Sequence, residues 1–230
     1  MSAEEWEIVR LSLGISAVAV AGTLPIAFAL AYLLARARFP GRALVDALVH
    51  LPLVLPPVVT GWLLLLAFGR SGPIGGWLMD WFGVTVMFRW TGAAIAAGVM
   101  ALPLMVRAIR LSIEAVDRRL EGAARTLGAG PWRAFATVTL PLCVPGVLAA
   151  LVLGFARSIG EFGATVTFVS NVPGETRTLP LAIYSALQVP GADATVVRLA
   201  AISVALSLAA LVASEWLARR SGAGRGGHVL

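Results

Sequence analysis

The sequence predicts an all-α integral membrane protein: five helices that cross a bilayer, with one short amphipathic helix held in the cytosol between the third and fourth. Three observations predict it. Hydrophobic residues make up 59% of the 230 and charged residues only 13%, about half the roughly 25% charged share of a soluble domain. Apolar stretches long enough to cross a hydrocarbon core recur along the chain. The positive charge is all arginine, lysine being absent, and those arginines flank the apolar stretches, as membrane topology requires. The basic balance, with a pI near 11.1, therefore reads as topology and not as a nucleic-acid surface. Residues 1–230 are read as one transmembrane domain.

Residues 11–35 form the first expected span. As helix its 25 residues extend about 37 Å, enough for a core of about 30 Å. The acidic opening MSAEEWEIVR lacks the positive start of a secretory signal, so this span is expected to be retained. Ala27, Ala31 and Ala35 recur every four residues and allow close helix approach; Pro25 is placed to kink it. Arg36, Arg38 and Arg42 mark the next loop as cytosolic.

Residues 44–68 form the second span. Its LPLVLPPVVTG segment holds Pro52, Pro56, Pro57 and Gly61, which break the hydrogen-bond ladder repeatedly. Lipid does not tolerate free carbonyls, so this stretch is buried against protein or lines a water-filled path. Pro56, Pro57 and Thr60 are accordingly candidate pathway residues, the bland alternative being a packing kink. Asp46 and His50 lie near the cytosolic end, His50 as an interfacial residue. Residues 69–90 carry Gly72-Pro73, Gly75-Gly76 and the aromatics Trp77, Trp81, Phe82, Phe88 and Trp90, and read as a loop at the outer interface. The third span, 91–109, has a small-residue face at Ala93, Ala97 and Ala101, and Arg107 and Arg110 close it on the cytosolic side.

Residues 113–133 are the cytosolic element. Ile113, Val116, Leu120, Ala123, Ala124 and Leu127 keep helical spacing, opposite Glu114, Arg118, Glu121 and Arg125. Asp117 is suited to cap the helix start, Gly128 to the left-handed position that ends it, and Gly130-Pro131 to a turn into the next helix. The result is a protrusion whose apolar stripe fits a groove on a partner protein. Its candidate contact residues are Leu120, Glu121, Gly122, Ala123, Ala124, Arg125, Leu127 and Gly128.

Residues 142–156 alone are about 22 Å long as helix, too short to cross. Extension to a span of 138–168 repairs the length and carries Arg157 and Glu161 into the membrane, four apart on one face. Charges at such depth cost about 2.5–3.5 kcal/mol each, so they pair or face a cavity. Ser158 and Gly160 are available for a bend; a competing reading ends the span near Ala156. Arg157, Ser158, Glu161 and Thr165 join the pathway candidates, suited to passing an anion. Structural neutralisation of Arg157 by Glu161 stays open beside that role. Then come an outside turn at 171–178 (NVPGETRT), a short amphipathic segment at 179–189, a turn at Pro190-Gly191, the fifth span at 196–218, and a Gly-rich tail with Arg219, Arg220 and Arg225.

An N-terminus outside and a C-terminus in the cytosol put twelve arginines inside and, with Arg157 set aside, five outside: Arg10, Arg70, Arg89, Arg177 and Arg198. The positive-inside rule favours that orientation. A phosphate-binding loop needs Gly-Lys-Ser/Thr, and a chain without lysine lacks it, so any ATP hydrolysis belongs to a separate subunit. No catalytic residue and no metal site is expected: His50 and His228 are far apart, and Cys143 stands alone.

Ala123-Ala124, Gly128 and Val138-Thr139-Leu140-Pro141 resemble the Glu-Ala-Ala motif of ABC importer permeases at its own spacing, with Gly122 in the glutamate slot, Glu121 one residue earlier, and Val138 for isoleucine. The segments LPLVLPPVVTG and RSIGEFGATVTFVSNVPGETRT are similar to those of oxyanion permeases, the second to molybdate permease subunits in particular. The resemblance covers nearly the whole chain and implies a type I importer permease core in the bacterial inner membrane. It implies two copies of the chain, two ATP-binding cassette subunits that hydrolyse ATP with Mg, a periplasmic molybdate-binding protein docking outside, membrane lipid around the spans, and no cofactor on this chain. Sulfate or tungstate permeases share the scaffold. An anion channel shares the composition but needs no docking helix.

Overall fold

Prolines and small residues, more than apolar content, decide where these helices begin, bend and pack. The computed structural model describes residues 2–222, which form helices joined by turns. Helix α1 (Ala3–Arg36) starts on a reciprocal cap: Ser2 Oγ accepts from the Glu5 N–H, and the Glu5 carboxylate accepts from the Ser2 N–H. It runs as one helix through Pro25. Helices α2 (Arg42–Val54) and α3 (Pro57–Phe68) meet at 116°. Leu55 and Pro56 each precede a proline and are extended, with ψ of 143° and 133°, because the following ring clashes with a helical neighbour. Two such residues in succession turn the chain. The expected second span is two short helices.

A helix, α4 (Pro73–Phe82), replaces the loop expected at 69–90. Pro73 takes the first helical turn, and Gly83 ends the helix at φ 62°. Gly75 argued for a loop but serves packing: a Cβ there would sit 2.1 Å from the Phe68 carbonyl oxygen. Helix α5 (Trp90–Glu114) runs past the expected end at 109. Arg110, in its last turns, donates to Asp46 at 3.0 Å and to Glu114 at 2.8 Å, tying α2 to α5. His50 Nδ1 lies 2.8 Å from the Asp46 carbonyl oxygen.

Helices α6 (Arg118–Thr126) and α7 (Pro131–Ala134) make the protrusion. The chain then passes through a π-helical turn, Phe135–Thr139, into α8 (Leu140–Ile159). The wide turn carries the ring of Pro141 past the carbonyl four residues back, which an α-turn would not. The fourth span therefore gains its length on the opposite side from that expected. It runs as 29 residues over Pro131–Ile159, stops at Gly160, and restarts as α9 (Gly163–Val169). Helices α10 (Leu179–Ala186) and α11 (Asp193–Gly222) complete the chain. Arg225 and His228 lie outside the described residues. Among the described residues, four helical rods can cross a membrane by length and apolarity, or five spans if α2 with α3 is one.

Helix α5 is the central rod, packed between α1 and α8. Ala93, Ala97, Ala101, Ala27 and Ala31 are at most 1% exposed, as their spacing predicts. A Cβ on Gly98 would lie 2.5 Å from Thr23 Oγ1, and one on Gly154 2.7 Å from Met105 Sδ. Lipid supplies no hydrophobic drive between helices, so this close packing holds them together.

Candidate docking helix and translocation site

Asp117 accepts a hydrogen bond from the Arg119 N–H at 2.9 Å and opens α6. Gly128, at φ 86°, closes it. The Gly128 N–H donates to the Arg125 carbonyl, and the Ala129 N–H reaches back to Ala124, the paired bonds of a Schellman end. No α6 residue is buried. Leu120 is 49% exposed and Leu127 89% exposed. Gly122, Ala123, Arg125 and Gly128 are exposed with them, and Ala124 is half-buried. This preformed apolar stripe is left largely uncovered by the described residues.

Glu121 departs from expectation. Its carboxylate turns inward, accepting from Arg36 at 2.9 Å and from the Thr139 hydroxyl. Arg36 ends α1 and Thr139 closes the π-helical turn, so Glu121 braces the docking helix to two membrane rods. The charge on Arg36 and the fully buried Thr139 hydroxyl, which needs an acceptor, draw it in. Two more residues join this element. Thr139 lies in the motif segment, where nothing in the sequence marks it as a partner of Glu121. Trp132, 82% exposed beside the turn, could have been flagged as a large aromatic in a polar stretch.

The pathway candidates meet where two helices break. The first turn of α3 packs on α9: a Cβ on Gly61 would lie 2.6 Å from the Ala164 carbonyl oxygen, and one on Gly163 2.7 Å from Pro57 Cβ. Arg157 donates to Glu161 at 2.6 Å, with side chains 26% and 2% exposed. The same carboxylate accepts from the Ala164 N–H at 2.9 Å and so caps α9. Thr165 is buried on that helix. Thr167, its neighbour, spends its hydroxyl on the Gly163 carbonyl. Thr60 and Ser158 are each 5% exposed, and both hydroxyls are buried without a partner among the described residues. An unmet buried hydroxyl costs about 1–3 kcal/mol, and these two lie on the two broken segments, Thr60 in α3 and Ser158 near the end of α8.

Apolar rods long enough to cross a membrane, two broken helices and an exposed amphipathic helix between rods mark a multi-pass membrane protein. Residues 24–222 match the family described as binding-protein-dependent transport system inner membrane component, and the chain belongs to that family. It is 59% identical over 223 residues to the molybdenum transport system permease protein ModB of Escherichia coli (strain K12), covering 96% of this chain and 97% of that one. It is 38% identical over 202 residues to the sulfate transport system permease protein CysT of the same strain, covering 86% and 71%. The crystal structure of a bacterial alginate ABC transporter in complex with its pentasaccharide-bound periplasmic protein shares the fold, with a TM-score of 0.75 at 18% identity over 96% of this chain and 80% of that one. The chain is thus a multi-pass inner-membrane permease component and not the ATPase.

Proposed function

We propose that this chain forms the translocation pathway of a molybdate importer, as one of two copies above two ATPase subunits that hydrolyse ATP with Mg. The observation that carries the substrate is the contrast in likeness: 59% identity to a molybdenum permease along both whole chains, against 38% to a sulfate permease. The arginine distribution supports an N-terminus outside, where a periplasmic molybdate-binding protein docks, and α6 in the cytosol against the ATPase. Leu120, Gly122, Ala123, Ala124, Arg125, Leu127 and Gly128 form the contact stripe, with Glu121 behind it.

In this reading a tetrahedral dianion passing beside the α2–α3 and α8–α9 breaks loses water to the hydroxyls of Thr60, Ser158 and Thr165. Arg157 supplies attraction, moderated by Glu161 so that binding stays weak enough for release. Pro56 and Pro57 keep the α2–α3 break open. ATP binding draws the docking helices together and turns the pathway from one side to the other. Uptake into proteoliposomes with the cognate binding protein, with sulfate and tungstate as competitors, tests the substrate. Molybdate preference is expected; a sulfate preference rejects the reading.

A further inference from the structure

Two cavities on the α1–α5 surface share Val18 and Trp90 and form one continuous groove. The upper part, about 350 Å³, reaches Glu7, Arg10 and Gly14 at the end where α1 begins. The lower part, about 390 Å³, is lined by Ala19, Gly22, Gly98 and Leu102. Gly14 and Gly22 each face open space, with nothing within 4 Å of where a Cβ would be. Val18 and Ile26 stand exposed along the edge at 47% and 56%, and Trp90, 40% exposed, sits where the two parts join.

We propose that this groove binds one phospholipid, its phosphate on Arg10, its amine on Glu7 and an acyl chain laid down the cleft. Three features select that occupant. Glu7 and Arg10 lie one turn apart at the mouth, and neither belongs to an ion pair among the described residues; together they match a zwitterionic headgroup. Tryptophan at that level marks the membrane interface. The groove also has the depth of one leaflet. From Gly14 to Ile26 is about 18 Å along the helix, against about 15 Å for half of a hydrocarbon core of about 30 Å. A partner helix would need a groove running the full core, whereas this one stops at Ile26 and Leu102 while α1 continues to Arg36.

The test uses the assembled transporter in proteoliposomes doped with a phosphatidylethanolamine carrying a photoactivatable acyl chain, with labelled peptides mapped by mass spectrometry. Labelling is expected to concentrate on residues 14–26 and 94–102. It should fall at least fivefold in Gly22→Leu, which fills the cleft, in complexes that retain their ATPase subunit. A diacylglycerol with the same chain but no phosphate should label the groove several-fold less, and Arg10→Gln should erase that difference. Labelling spread evenly over α1, α5 and α11 means ordinary boundary lipid and overturns the proposal. So does a groove left unlabelled while α11 is labelled, which means that protein covers it. Equal labelling by the two probes overturns the headgroup assignment.

Discussion

Replacing Glu121 with alanine separates bracing from docking. The change removes two hydrogen bonds, from Arg36 and from Thr139. A bond to a charged group contributes about 1.5–3 kcal/mol, and stranding a buried hydroxyl costs about 1–3 kcal/mol. Arg36 and Glu121 keep 12% and 26% of their side chains exposed, so water recovers part of this, and a loss on the order of 3 kcal/mol is a fair central figure. At 1.4 kcal/mol per decade, that shifts the balance between braced and loose docking helix by about 100-fold. The stripe at Leu120 and Leu127 is untouched. The ATPase subunit should therefore co-purify at wild-type ratio with Glu121→Ala while substrate uptake per ATP hydrolysed falls by tenfold or more. Glu121→Gln, which still accepts from Thr139, should recover part of the coupling. If the alanine variant instead sheds the ATPase subunit, the carboxylate meets the partner and the bracing argument is wrong.

Other substitutions test the remaining elements. Leu127→Asp places a charge on the exposed apolar residue that ends α6 and should strip the ATPase subunit in pull-downs while the spans stay inserted; full retention would place the contact elsewhere. Gly61→Val drives methyl groups into the Ala164 carbonyl, 2.6 Å from the nearest Cβ position. It should lower the thermal midpoint of the purified complex through overpacking of about 1–3 kcal/mol, whereas the same change at exposed Gly122 should leave stability almost unchanged. Glu161→Ala removes both the Arg157 partner and the α9 cap, and breaking such a buried pair costs about 3–5 kcal/mol. Transport should fail in Glu161→Ala, and Arg157→Gln should fold yet carry the anion at least several-fold more slowly. Wild-type uptake by an assembled Arg157→Gln complex would leave that arginine a purely structural role.

The features legible in sequence are those with local causes. The cap at Asp117, the left-handed Gly128 and the small-residue faces on α1 and α5 all appear where spacing placed them. Misplaced features depend on packing and helix geometry that residue spacing does not report. Gly75-Gly76 read as a loop because a glycine needed for close approach to the end of α3 is indistinguishable, in one dimension, from a glycine needed for a turn. The expected fourth span runs on through Arg157 and Glu161 because residues 142–156 alone are too short to cross, whereas the missing length lies on the Pro131 side. A π-helical turn lets one rod contain both Pro131 and Pro141. The inward turn of Glu121 depends on Arg36, 85 residues away, and no periodicity within α6 reports it.

The last two of these differences bear on mechanism because they meet at a single rod. The run Pro131–Ile159 begins beside the docking helix, holds the Glu121 brace at its π-helical turn, and ends at the Gly160 break, one turn from Arg157. A regular α-helix transmits a push at its base only as translation or tilt of the whole rod. A π-helical turn is a wider, less regular coil that changes register more readily, so its position sets where the rod yields first. Thr139 is fully buried and tied to the docking helix, which puts the yielding point within direct reach of α6. A change of register in that turn would shift the far break at Gly160 relative to α5. The tight contacts of α5 with α1 and α8, at Gly98 and Gly154, make it the fixed element against which such a motion is measured.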